Sequence, residues 1–379
     1  MKKPLTFYLL LVCAKALAAD LITSHVDIRF NYQPATDTWN CLLRYGGTFD
    51  NPSIEAGPET VALPARDLLS TAFGERYLQP PSAAYAFTGA ATGSPLWILP
   101  QSDRGYTWPG FANVQAVGTF LSYSNSDPRV NATAKWLKIR LIGVEYSGAA
   151  TGLPQFSLWT TGSGGTPTVW MATADGIGPT DCYFTTENTH SHLNWGFTAL
   201  GVYRVTMRSS AYLASDSSFV EGTDQTVTFA IGTFAAWRAT HFSGADIVTL
   251  GDALSNPDAD GSSNLLEYAF NTDPNVPGTT MMLAGTGTAG LPLVRVENLG
   301  GQDRLTVEFV RRKSSTNPQI VYTPEFSGTL SAGDWQAGGT STVTSLDANW
   351  ERVKVADSVA AAPRRFARVR VTLQTGISY

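Results

Sequence analysis

Short runs in which apolar and polar residues alternate recur from residue 22 to residue 231. Val26-Asp27-Ile28-Arg29-Phe30-Asn31-Tyr32 alternates without a break, and Trp136-Leu-Lys-Ile139-Arg-Leu141-Ile-Gly-Val144 is a denser apolar run. Phe156-Ser-Leu158-Trp-Thr, Val202-Tyr203-Arg-Val205-Thr-Met207-Arg and Thr226-Val-Thr-Phe229-Ala-Ile231 follow, separated by Gly-, Pro-, Ser- and Asn-rich turns. A period of two puts successive side chains on opposite faces of a strand. Many short strands at this spacing predict a β-sandwich over residues 19–232. Residues 50–115 are rich in Pro and Gly and read as long loops or short strands over one end.

The pattern changes at residue 233. Residues 233–278 hold a helical spacing in Leu265, Leu266, Ala269 and Phe270, stopped at Asp273-Pro274. Residues 279–379 return to alternation in Leu305-Thr-Val307-Glu-Phe309-Val, Val353-Lys-Val355 and Phe366-Ala-Arg-Val369-Arg-Val371-Thr-Leu373. The predicted fold is mainly β: an N-terminal β-sandwich, a short helical linker and a C-terminal β-sandwich-like domain. The basic clusters Arg311-Arg312-Lys313 and Arg364-Arg365 read as solvated strand ends.

The linker opens on Asn256-Pro-Asp258-Ala-Asp260-Gly261-Ser262-Ser-Asn264-Leu-Leu-Glu267. Oxygen-bearing side chains fall at alternate positions of a twelve-residue loop, with glycine at the sixth and glutamate at the twelfth. Alternate residues of a tight turn converge on one point, and a closing carboxylate can offer both oxygens. That is the requirement of a Ca²⁺ loop. Asn256, Asp258, Asp260, Ser262, Asn264 and Glu267 are the expected ligands. Asn in the first position lowers the charge of the site, which suits the modest affinity of extracellular calcium modules.

A second candidate site lies in Thr189-His190-Ser191-His192-Leu193-Asn194-Trp195-Gly196-Phe197. Read as one strand, it turns Leu193, Trp195 and Phe197 to the core and His190, His192 and Asn194 to the other face. His25 and Asp27 share a face of the first strand in the same way. The chain has four histidines, and three of them fall on these two polar faces. His25, His190 and His192, with Asp27 or Asn194, could assemble a Zn²⁺ or Cu²⁺ site if the strands meet. The alternative is a set of local hydrogen bonds that pin a loop.

Composition narrows the setting. Only 15 % of residues are charged, while Gly, Thr, Ser and aromatics abound, the profile of a secreted all-β protein. Lys2 and Lys3, an apolar run from Leu5 to Ala14 and the small-x-small Ala16-Leu17-Ala18 read as a secretory signal over residues 1–18. Its removal takes away Lys2, Lys3 and Lys15 and moves the net charge from −5 to −8. This acidic balance argues against nucleic acid or an anionic membrane as partner. No second apolar run is long enough for a transmembrane segment. Cys41 and Cys182 remain, as one disulfide or as two buried thiols.

Several stretches resemble a known family. His25-Val-Asp27-Ile, Pro95-Leu-Trp97-Ile-Leu-Pro100-Gln101, and His190-Ser-His192-Leu-Asn194-Trp195-Gly-Phe197-Thr with Gly201-Val-Tyr203-Arg-Val look like the choice-of-anchor M domain, over roughly residues 21–232. That domain is similar to repeats of actinobacterial surface-anchored proteins. The resemblance implies an exported, surface-associated β domain without enzymatic activity, found in some members beside transition-metal uptake components. The calcium loop resembles thrombospondin type 3, dockerin-type and EF-hand-like loops. Together with Trp237-Arg-Ala-Thr-His-Phe242 and the Arg311-Arg312-Lys313 strand, it is similar to C-terminal modules of secreted Verrucomicrobia and Planctomycetes proteins.

The sequence thus predicts a secreted, cell-surface or periplasmic non-enzymatic protein with a structural Ca²⁺ site. Its partner would be an envelope component, another protein or a glycan. A metal-scavenging or delivery protein using His25, His190 and His192 is the first alternative. A glycan-binding or adhesive module, with Trp97, Tyr106, Trp108 and Phe111 stacking on sugars, is the second. A zinc hydrolase using Glu187 as base is a third, but no His-Glu-x-x-His helix or Gly-x-Ser-x-Gly elbow supports it.

Overall fold

The computed structural model describes residues 20–21, 24–48, 51–57, 61–65, 76–78, 83–105, 107–124, 127–130, 133–360 and 364–374. The secretory segment expected over residues 1–18, and Tyr106, lie outside them. The fold is mainly β. No helix of the described residues is long and apolar enough to cross a membrane.

Three sheets share the N-terminal core. The largest is built on the fifteen-residue strand Thr133–Ser147, which pairs antiparallel with Gly201–Tyr212 on one side and Cys182–Thr186 on the other. A second holds His25–Gln33 between Thr38–Thr48 (antiparallel) and Trp108–Asn113 (parallel). A third contains Phe156–Thr161, Asn194–Phe197 and Pro95–Leu99. Alternation explains which side chains meet. Val26, Ile28 and Phe30 turn inward and are essentially fully buried, joined by Phe111, Leu137, Ile139, Trp195 and Phe229. Each such side chain contributes about 1.5–3 kcal/mol by leaving water.

The His190–Phe197 segment departs from the single strand expected. Leu193, Trp195 and Phe197 are all buried, as alternation predicts. The chain nevertheless leaves one sheet and enters another at Leu193: Thr189–His192 pairs with Trp108–Asn113, whereas Asn194–Phe197 pairs with Phe156–Thr161.

The helical segment is not a free linker. Helix α1 (Thr233–Ala239) packs Ala235 and Ala239 on Val202 and Ala230 of the large sheet, together with Ile247 of α2 (Asp246–Thr249). Phe234 of the same α1 enters the C-terminal core beside Tyr268 and Phe270 of α3 (Asn264–Phe270). Apolar residues on both sides of α1 thus commit it to both cores. Arg238, buried, fastens it further by donating to the Ser147 carbonyl (3.1 Å) and hydroxyl (2.9 Å).

The C-terminal core lies between a four-stranded and a three-stranded sheet. It is filled by Leu305, Val307, Phe309, Val353 and Val355. Arg312 is not the solvated strand end expected. Its guanidinium carbon lies 3.9 Å from the Tyr268 ring centroid and 4.4 Å from that of Trp350. Arg365 is also engaged, in an ion pair with buried Asp357.

Candidate metal centres

Register brings the first site together. Asp27 lies opposite Gly110 across the parallel pairing, and His192 lies opposite Gly110 across the antiparallel pairing on the far side. Asp27, Gly110 and His192 therefore form one row across three strands. Paired residues in a row share a face, and residue 110 has no side chain to separate the outer two. His25, two residues before Asp27, shares that face and lies opposite Trp108.

Three atoms converge here. His25 Nε2 and His192 Nε2 are 3.0 Å apart and share a hydrogen bond that would have to give way to a metal ion, and Asp27 Oδ1 is 3.7 Å from the first and 3.8 Å from the second. The centre of a triangle with those sides is about 2.05 Å from every corner, which matches zinc–nitrogen and zinc–carboxylate distances of about 2.0–2.2 Å. Asp27 is 2 % exposed, and its Oδ1 has no hydrogen-bond donor. A buried acceptor without a donor is costly, and a cation at the centre would satisfy it.

The surroundings prepare the imidazoles. His192 Nδ1 is 3.1 Å from the Trp108 carbonyl oxygen. A carbonyl can only accept, so Nδ1 carries the proton and the Nε2 lone pair points to the centre. Burial, with the charges of His25 and His190, pushes the His192 pKa down to about 4, and burial lowers that of His25 against the pull of Asp103. Both rings are thus neutral and able to coordinate at physiological pH. Burial raises Asp27 to about 6, opposed by His190 and Arg44. The Trp108 ring packs on both imidazoles, with centroids 4.6 and 4.3 Å away.

The remaining expected ligands fall elsewhere. His190 is exposed and lies outside the converging group, its ring edge-on to His192 at 5.5 Å. Asn194 belongs to the neighbouring sheet because the chain crosses over at Leu193. It exchanges hydrogen bonds with Gln101, receiving one from the backbone N–H (3.0 Å) and donating one to Oε1 (2.9 Å). Glu187 accepts from the backbone N–H groups of Gly118 and Phe120, so it anchors a loop. Trp97 and Phe111 are 1 % and 0 % exposed, which removes them from the aromatic platform expected for sugars. The role of Gly110 escaped the sequence reading, since nothing in the chain announces that Trp108–Asn113 lies between the histidine strands.

The second site is local. Gly261 sits at φ +97° with nothing within 4 Å of where a Cβ would stand, so backbone conformation and not space requires glycine there. Asp258, Asp260 and Glu267 bring carboxylate oxygens within 4.8 Å of one another. Glu267 is 1 % exposed, and both of its oxygens lack a donor, as do Asp258 Oδ2 and Asn264 Oδ1. Burial first, then Asp258, Asp260 and Asp273, push Glu267 up to about 8. Buried orphan oxygens facing like charges fit a hard cation with oxygen ligands. Ser262 is buried and donates its N–H to Asp260 Oδ1 at 2.7 Å. Asn264 uses its amide nitrogen on the Leu250 and Asp252 carbonyls, both at 2.7 Å. Asn256 is exposed.

No family model matches the chain, and no curated protein is significantly similar to it.

Proposed function

We propose that this chain is an exported, surface-associated cation-binding protein without enzymatic activity. It holds a transition metal at His25, Asp27 and His192 and a structural Ca²⁺ at Asp258, Asp260 and Glu267. The observation that carries the reading is the single point about 2.05 Å from His25 Nε2, His192 Nε2 and Asp27 Oδ1. Two neutral imidazoles and one carboxylate, with no cysteine or methionine sulfur, suit Zn²⁺ or Cu²⁺. With three protein ligands, a fourth position is left for water, for His190 or for a partner's side chain. The same fourth position would permit transfer of the metal to an envelope component. The resemblance to the choice-of-anchor M domain is in keeping with this reading, since some members of that family occur beside transition-metal uptake components.

Calorimetric titration of metal-free protein with Zn²⁺ and Cu²⁺ tests it. One equivalent should bind to the native chain, and His25→Ala/His192→Ala should lose it. His190→Ala should weaken binding less than either of those changes, and Asn194→Ala should leave it intact. Wild-type affinity in the double variant would overturn the site.

A further inference from the structure

The outer face of the large sheet carries a cleft that neither cation site uses. Pairing sets Lys138 between Phe184 and Ser210, and Ser210 opposite Glu221. One pleat away Tyr212 lies opposite Phe219, and on the other side Arg140 lies opposite Arg208. Paired residues share a face, so these side chains stand together. They enclose a space of about 270 Å³ lined by Lys138, Arg140, Phe184, Tyr212, Phe219 and Glu221.

Two features point to a ligand. Tyr212 and Phe219 are 38 % and 55 % exposed, with ring centroids 5.2 Å apart. They keep a paired aromatic surface in water, where most large aromatics among the described residues are buried. The charge beside them is unbalanced. Among the described residues no carboxylate lies within ion-pair distance of Lys138. Arg140 is paired there with Glu221 at 3.8 Å, while Arg208, outside the lining, pairs chiefly with Asp224 at 2.7 Å and more loosely with Glu221 at 3.4 Å, so the lining holds two cations to one carboxylate. The cleft is thus locally positive on a chain of net charge −5.

Aromatic faces, two cations, a hydroxyl and a carboxylate in one cleft match a pyranose ring that carries a carboxylate. Its C–H face stacks on aromatic rings, its carboxylate seeks charge-assisted donors, and its hydroxyls need acceptors and donors. The Glu221 carboxylate, which also lines the cleft, offers an acceptor to sugar hydroxyls. We propose that this cleft binds a uronic acid unit of an acidic polysaccharide, with its ring on Phe219 and Tyr212 and its carboxylate on Lys138 and Arg140.

The test is calorimetric titration of the full chain with tetragalacturonate, with neutral maltotetraose and with tetraglutamate as an anion that is not a sugar. Tetragalacturonate should bind and the other two should not. Lys138→Met should weaken binding about tenfold or more, and Phe219→Ala about three- to tenfold. His25→Ala/His192→Ala should leave it unchanged, which separates this site from the metal centre. Phe219 is exposed, so its loss leaves the fold intact, as a thermal melt will verify. No binding of tetragalacturonate, equal binding of either control ligand, or wild-type affinity in both cleft variants overturns the proposal.

Discussion

Gly110 and His192 face each other across neighbouring strands, and a Cβ on residue 110 would lie 2.8 Å from His192 Nδ1 and 2.6 Å from the Ser191 carbonyl oxygen. The imidazole lies across the strand only because that position is bare, and its Nδ1 reaches the Trp108 carbonyl through the same space. Gly110→Ala should therefore displace the ring and the edge strand together. The expected cost is about 1–3 kcal/mol in stability and about 10- to 100-fold in zinc affinity, the range seen when ligand-orienting contacts are lost. Denaturant unfolding and zinc titration read the two effects separately. Native zinc affinity in this variant would show that His192 needs no such support.

Calcium removal should act through Glu267. A metal-free site holds a buried carboxyl beside Asp258 and Asp260, and a cation removes that conflict. Ca²⁺ at a hundred times its Kd should add about 2.7 kcal/mol of stability. Glu267→Gln should abolish this response while leaving the metal-free protein at least as stable as the wild type, because the amide avoids the cost of protonating a buried carboxyl. Thermal melts with and without chelator, and protease cleavage within residues 250–275, provide the readout. A calcium-dependent rise in the melting temperature of the variant would count against Glu267 as a ligand.

Asp334 closes a turn of the C-terminal domain. Its Oδ2 accepts from Ser327 Oγ (2.7 Å), from the N–H groups of Gly328 (2.7 Å) and Thr329 (2.8 Å), and from Thr329 Oγ1 (3.1 Å). These bonds, the Ser327 hydroxyl foremost, pull the pKa from 3.8 to about 2. A depressed carboxyl stabilises the fold above its unfolded value, and the contribution fades as pH falls through the folded value. The turn should therefore persist at pH 3 and open near pH 2. An NMR titration of the Asp334 carboxyl should give a midpoint near 2. A midpoint near 3.8 would mean that the turn does not form in solution.

Cys41 and Cys182 are free and 5 % and 1 % exposed. Burial pushes the Cys41 thiol up to about 12, against the pull of Arg29, and raises that of Cys182 against Lys138 and Arg129. Neither should form a thiolate at neutral pH. In a chain beginning at residue 19, a thiol-titrating reagent should find none in the native state and two after unfolding. Zero thiols in denaturant without reductant would establish a disulfide.

Much of the fold was readable because alternation decides burial one strand at a time. Val26, Ile28 and Phe30 alternate and are buried, whatever strand lies beside them. The site was half readable for the same reason. His25 and Asp27 had to share a face, and so did His190 and His192. Which pair would meet depended on strand order, and periodicity carries no information on that. The crossover at Leu193, which sends Asn194 to a different sheet, leaves every core residue where alternation puts it, so it leaves no trace in the pattern. Arg312 escaped for another reason: a charged side chain stacked between Tyr268 and Trp350 reads in sequence like any solvated one.

The two histidines of the proposed transition-metal site are 167 residues apart along the chain, whereas the carboxylates of the proposed calcium loop span only Asp258 to Glu267. The first cannot exist until the N-terminal sheets have closed, because long-range strand pairing is slow and bears the full entropy of loop closure. The second needs only a turn and one short helix, and can form as soon as that segment has left its site of synthesis. If both proposed sites hold their ions, calcium could bind the loop before the rest of the chain has packed, whereas a transition metal could bind only a finished N-terminal domain, so an incompletely folded copy could not sequester it through this triad.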